Sequence, residues 1–290
     1  MRGLFAKENL FKKLLLTAFI AITSVLLCST ATTFLLHIFI DNNSLLATKI
    51  IQFSLSVGLF IIPPLLTAYL VSRTPAKFLS LQKTISLKAI FGVVLFMILA
   101  VPLINYIAEW NTSLKLPDSF ALLEQWMRKH EEAAAALSEK MMQTSAFDVL
   151  LGNIFLIAIV PALGEELFFR GLLQTRLSHW IKNTHAAVWI TAIVFSAFHV
   201  QFYGFIPRLL LGAYLGYLLV WSGSLWLPVL AHFVNNALAV VMYFLFQNNY
   251  ISLHPDKIGV NGSFLIIIAN VLVLGGVIYF QRRQEINNIS

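Results

Sequence analysis

Apolar residues run along this chain in blocks of twenty or so, separated by short stretches where lysine, arginine, serine and asparagine collect. A block of about 20 residues is what a helix needs to cross a bilayer core of ~30 Å. Eight such blocks are expected, at about 14–40, 48–72, 87–108, 148–169, 186–202, 207–222, 226–247 and 263–281. Lipid offers no partner to an open backbone, so blocks of this kind fold as helices. The expected fold class is therefore all-α, a polytopic transmembrane helical bundle with about eight spans. Pro63-Pro64 lies inside the second block and should kink or split it, because proline cannot donate the helical hydrogen bond.

One stretch departs from the pattern. Residues 109–147 form the only sizeable segment outside the apolar blocks, and Ser119–Met142 is rich in Ala, Glu, Lys and Met with no Gly or Pro, which predicts a helix. Leu122, Leu123, Trp126, Met127 and Leu137 give that helix a partly apolar side. Two placements follow, along the interface over the bundle or as a solvated connector. The chain divides into 1–147 (the first spans and this extracytoplasmic helical loop), a core at 148–247, and a last span in 248–290, all within one bundle.

Composition sharpens this picture. At 59% hydrophobic and 11% charged, the 290 residues do not describe a soluble domain. The net charge of +7 is spread between apolar blocks and forms no stripe, which argues against nucleic acid as a partner. Placing the N-terminus inside assigns 13 of the 20 Lys and Arg residues to the inner side, so both termini are expected in the cytoplasm. Arg282-Arg283 fits that side as an anchor. Arg2, Lys7, Lys12 and Lys13 precede Leu14–Ile40, a run too long for the ~7–15-residue core of a signal peptide, so an uncleaved first span is expected. The single cysteine, Cys28, excludes an intramolecular disulfide and a cysteine-based zinc cluster, and is expected to serve packing.

Polar groups inside three of the blocks carry the candidate chemistry. Glu165 and Glu166 adjoin the apolar run Val149–Leu163, which only Asn153 interrupts, and Arg170 follows them. An ionised side chain at membrane depth costs several kcal/mol, so such groups face the bundle interior or a wet cavity and serve a function. Adjacent helical residues diverge by about 100°, so the two carboxylates face different surroundings. Glu166 and Arg170 are spaced i, i+4 with the acid first, the favourable orientation for a helical ion pair. That pairing leaves Glu165 free to face a cavity, where apolar walls suit a glutamate to proton transfer near neutrality. His199 lies four residues after Phe195, and Asn236 four after His232, so each pair shares a helical face. Together these groups supply a base, two imidazoles and a carboxamide donor, enough to activate water and stabilise the oxyanion of a peptide carbonyl. A purely structural ion cluster would leave the histidines unexplained. Gly212-Ala-Tyr-Leu-Gly216 is expected to pack closely within the bundle rather than to dimerise.

Glu165-Glu166-x-x-x-Arg170, Phe195-x-x-x-His199 and His232-x-x-x-Asn236, in this order and each on an apolar helix, resemble the three motifs of the CPBP intramembrane proteases, also called the Abi or CAAX-protease family. Gly171-Leu-Leu, Arg208 with Gly212 and Gly216, and Ser224-Leu-Trp-Leu-Pro228 add to the likeness, which covers about residues 148–247. The resemblance implies an intramembrane endopeptidase acting on a membrane-embedded or lipid-anchored protein, and a multi-pass place in a bacterial plasma membrane. It further implies that Glu165 and His199 activate water, that His232 and Asn236 line the oxyanion site, and that Glu166 and Arg170 shape that centre. The family is often described as metal-dependent, and Glu165, His199 and His232 could offer zinc three ligands with water fourth. There is no HExxH, and a glutamate spent as a ligand cannot also be the base, so metal-free catalysis with no cofactor is the favoured expectation. The main rival is a proton- or ion-coupled transporter using the same buried groups as a relay; it predicts an inverted repeat, which the sequence does not display. A non-catalytic immunity or scaffold protein retaining the fold is the other alternative.

Overall fold

The computed structural model describes residues 2–39, 44–260 and 264–287. Residues 40 and 263, which the first and last expected spans included, lie outside the described residues. The fold is all-α, with no strand among the described residues. Its helices are α1 (Leu10–Phe39), α2 (Leu45–Val71), the single turn α3 (Pro75–Phe78), α4 (Leu87–Ser113), α5 (Ala121–Met142), α6 (Phe147–Ile181), α7 (Thr184–Phe198), α8 (Phe205–Ser222), α9 (Trp226–Gln247) and α10 (Phe264–Asn287). Among the described residues, seven of them (α1, α2, α4, α6, α8, α9 and α10) are long and apolar enough to cross a membrane.

The fifth expected span, 186–202, is the exception. It is realised as α7, whose 15 residues rise only about 22 Å, short of the ~30 Å core. The chain turns at Val200, which takes a φ of 52°, before the expected end at 202. This bears on topology, because an even number of crossings requires α7 to reach both surfaces. The distribution of basic residues favours that arrangement, with both termini inside. In a Cys28→Ser background, a cysteine replacing Ser119 should then react with an impermeant reagent in intact cells, and one replacing Arg2 should not. Labelling at position 2 would sink the arrangement.

Pro63-Pro64 neither breaks nor splits α2. Residues Val57–Ile61 just before them widen into π-helical geometry, and the Ile62 N–H reaches back to the Val57 carbonyl. The widened turn absorbs the lost donors, so the helix runs on to Val71. Cys28 packs here as expected, close enough that a Cβ on Gly58 would come within 3.2 Å of it.

Helix α6 is longer than expected, 35 residues and about 52 Å. It does not stop at Phe169, because Glu166, Arg170 and Gln174 each find a hydrogen-bond partner on a neighbouring helix rather than in water. It widens into π geometry twice, at Ile154–Ile159 and at Leu167–Gln174. Van der Waals packing joins these helices, since lipid removes most of the hydrophobic drive between them. One core joins α4, α8, α9 and α10 through Val93, Met97, Leu215, Leu218, Leu227 and Leu274. Within it Phe96 stacks on Tyr214 at 4.0 Å, and the Tyr214 hydroxyl donates to Gln281 at 3.0 Å.

Helix α5 lies against the bundle as a cover. At its start Glu124 accepts from the Leu116 N–H at 2.9 Å and from Arg128 at 2.6 Å, and the Arg128 hydrogen bond holds its carboxyl below the ordinary value. The Arg128 guanidinium also sits 4.4 Å over the Tyr203 ring, and Glu131 accepts the Tyr203 N–H at 3.1 Å. These contacts tie α5 to the α7–α8 connection. The packed side continues the expected one, with Trp126 against Phe202 at 5.6 Å and Leu137 in the wall, except at Leu122. Leu122 is 84% exposed, whereas Ala134, Leu137, Ser138, Met141 and Met142, at i, i+3, i+4, i+7 and i+8, form the face turned to the bundle.

Candidate active site

The site is built on α6, α7 and α9 and braced by α8. Glu166 and Arg170, one turn apart on α6, pair at 2.7 Å with no exposure of either side chain. The pair is hydrogen-bonded outward at both ends. Arg170 donates to the Gly212 carbonyl of α8 at 2.9 Å, and its guanidinium lies 4.6 Å over the Phe195 ring of α7. On the other side the same Glu166 Oε1 accepts from His232 Nδ1 of α9 at 2.8 Å. One charged pair thereby binds three neighbouring helices.

The glycines of α8 permit this approach. A Cβ at Gly212 would stand 3.2 Å from Phe195, and one at Gly216 would stand 2.7 Å from Gln174 Oε1. Gln174, one turn beyond Arg170, donates to the Gly216 carbonyl at 3.0 Å. Arg170 and Gln174 thus form successive rungs onto carbonyls that are themselves one turn apart. The GxxxG segment packs inside the bundle, against α6 and α7.

A carboxylate can only accept, so the His232 hydrogen bond to Glu166 fixes its proton on Nδ1 and turns Nε2 towards Glu165. The Nε2-to-Glu165 Oε2 distance is 4.0 Å. That oxygen is buried and has no hydrogen-bond partner among the described residues. Gly164 lets α2 come close beside it, since a Cβ there would lie 3.0 Å from Phe60 and Ile61. The two glutamates therefore meet different surroundings: Glu166 Oε1 is held by Arg170 and His232 while its Oε2 is unpartnered, and Glu165 takes no hydrogen bond among the described residues.

His199 closes the C-terminal end of α7. Its Nδ1–H donates to the Phe195 carbonyl at 2.9 Å, which leaves Nε2 available. The Phe195 ring connects it to the rest, edge-on to His199 at 5.1 Å and to His232 at 5.9 Å. Asn236 sits one turn along α9 from His232 and donates across to the Ile157 carbonyl of α6 at 3.2 Å. That carbonyl lacks an α-helical donor. Its helical donor would be the N–H of residue 161, which is a proline. Asn235 in turn donates to Asn236 Oδ1 at 3.1 Å, so the Asn236 NH2 is the end presented to α6.

Glu165, Glu166, Arg170 and His232 form one connected cluster; His199 joins it through an aromatic ring, and Asn236 flanks it. His199 also faces a cavity of about 490 Å³ between α2, α5 and α6, which Gln201 and Ile157 line as well. Arg208 stands behind Gln201, bonded to its side chain at 2.6 Å. Sequence reading passed over Gln174 and Asn235, two polar residues in apolar helices spaced one turn and one residue from motif positions. As for a metal, no three His, Cys, Asp or Glu side chains converge to ligand a single ion among the described residues.

Residues 147–238 match the family model described as Type II CAAX prenyl endopeptidase Rce1-like. The resemblance carried by the three motifs is thus shown for this part of the chain. Among curated proteins, the Uncharacterized protein YpbD of Bacillus subtilis (strain 168) is 26% identical over 117 residues, a stretch covering 39% of this chain and 55% of that protein. The chain spans about half the length of the curated relative it matches. No solved structure matches it. With seven apolar helices and this family match, the protein is an integral, multi-pass membrane protein.

Proposed function

We propose that the Rce1-like core hydrolyses a peptide bond of a membrane-embedded or lipid-anchored protein, with Glu165 as general base. The supporting observation is the unpartnered Glu165 carboxylate, held 4.0 Å from a His232 ring that a buried Glu166–Arg170 pair orients. In this reading a water between Glu165 and His199 Nε2 gives a proton to Glu165 as its oxygen bonds to the peptide carbonyl carbon. The oxyanion is met by His232 Nε2–H when that nitrogen is protonated, and by the second N–H of the Asn236 amide. Glu165 then returns the proton to the leaving amine as the C–N bond breaks. Arg170 and Glu166 hold His232 in place and do not touch the substrate.

Membrane proteomics of cells carrying wild type or Glu165→Gln tests the reading. New protein N-termini confined to wild type are expected, and their absence would overturn it. The same preparation treated with chelator tests the metal. With Glu165 as base and no metal, cleavage persists after chelation. Stoichiometric zinc, with activity lost on its removal and restored on its return, would replace the metal-free chemistry and leave hydrolysis standing.

A further inference from the structure

The cavity that ends at His199 has a patterned wall. On α2, Thr48, Gln52 and Ser56 line it at i, i+4 and i+8, between apolar neighbours such as Leu55 and Leu59. Helix α5 faces them with Leu137, Ser138 and Met141. Apart from His199, no ionisable side chain among the described residues lines the cavity. Thr48 spends its hydroxyl on the Ser44 carbonyl at 3.3 Å, but Gln52, Ser56 and Ser138 take no hydrogen-bond partner among the described residues. Gln52 and Ser56 are half-buried and Ser138 is exposed, so their hydrogen-bonding groups stand open to whatever occupies the cavity.

From this arrangement we infer that Gln52 and Ser56 of α2, with Ser138 of α5 opposite, form a hydrogen-bonding rail for the backbone of an extended, uncharged, apolar peptide running towards His199. The inference rests on the proposed hydrolysis for its purpose, since a peptide bond inside a helix is shielded and must be unwound before water attacks. Unwinding in an apolar site strands backbone N–H and C=O groups, each costly to leave unpaired. Geometry matches the rail to such a strand. Residues four apart on a helix rise about 6 Å, and residues two apart on an extended strand advance about 6.7 Å. Gln52 and Ser56 therefore meet alternate amides on one edge of the strand, while the intervening apolar residues receive its side chains. A volume near 490 Å³ suits a few residues of peptide and falls in the roughly 300–1,000 Å³ range of ligand pockets.

The test uses a defined probe, a fluorescein-labelled dodecapeptide of alternating Leu and Ala, beside its analogue N-methylated at every second amide. Fluorescence anisotropy with the purified full-length Glu165→Gln protein in detergent, corrected for empty micelles, measures binding of each. The parent peptide should bind about tenfold tighter, as expected for one or two lost hydrogen bonds. That margin should collapse in the further variant Gln52→Leu/Ser56→Ala. Equal binding of the two peptides, or no binding of either, overturns the rail, and this comparison stands even if the further variant fails to fold. A margin that survives in a folded Gln52→Leu/Ser56→Ala protein overturns the assignment of these residues. Hydrolysis is read separately, by incubating the parent peptide with wild type. Binding that depends on N–H groups without cleavage keeps the rail and counts against the protease reading. Cleavage without that dependence does the reverse.

Discussion

Glu165→Gln should slow peptide-bond hydrolysis by about 10²–10⁴-fold while the purified protein unfolds at the wild-type temperature. Gln keeps the shape of the side chain, so the close approach of α2 at Gly164 is undisturbed. The carboxylate is not part of the ion pair, so replacing it strands no charge. What it loses is a basic oxygen that can take a proton from water. The unpartnered Oε2 of Glu165 predicts this separation of activity from stability. KM should change little and kcat should fall, because the group acts on the reacting water and not on the bound peptide. Activity within threefold of wild type would remove Glu165 from the base role, and a marked loss of stability would show it to be structural.

Much of this arrangement was legible in the sequence, and the parts that were not share a cause. The Glu166–Arg170 pair follows from i, i+4 spacing within one helix, where geometry is set by 3.6 residues per turn. The carbonyls of Gly212 and Gly216 were not foreseeable as partners of Arg170 and Gln174, because each lies 42 residues away and no side-chain type marks an accepting backbone. The same ignorance made Arg170 look like the end of a span. A charge closes an apolar run when water must solvate it, but not when a neighbouring helix does. The Asn236 contact is a middle case. Pro161 announces that the Ile157 carbonyl lacks its helical donor, yet only the packed bundle shows which amide takes its place. The apolar side expected of α5 is the one that packs, through Trp126 and Leu137, but its outermost leucine does not belong to it. Leu122 stays exposed, while the smaller Ala134 and Ser138 sit against the cavity.

The Glu166–Arg170 pair should behave oppositely to Glu165, with Arg170→Ala lowering stability by about 3–5 kcal/mol, the range for breaking a buried pair by removing one partner. The loss has two parts. Glu166 keeps its charge with no exposure to water, and only the His232 N–H remains to balance it. The Gly212 carbonyl and the face of Phe195 also lose the guanidinium that joins α6 to α7 and α8. A mutant cycle separates charge from packing. Replacing both residues, as Glu166→Gln with Arg170→Met, should cost less than Arg170→Ala alone, because no unpaired ion is then left in the interior. Hydrolysis should still fall in the double variant, since His232 loses the carboxylate that fixes its proton on Nδ1. Unfolding in detergent by heat or denaturant, measured beside activity for the single and double variants, gives the comparison. If Arg170→Ala is as stable as wild type, the pair does not hold these helices together, and the orientation of His232 must come from elsewhere.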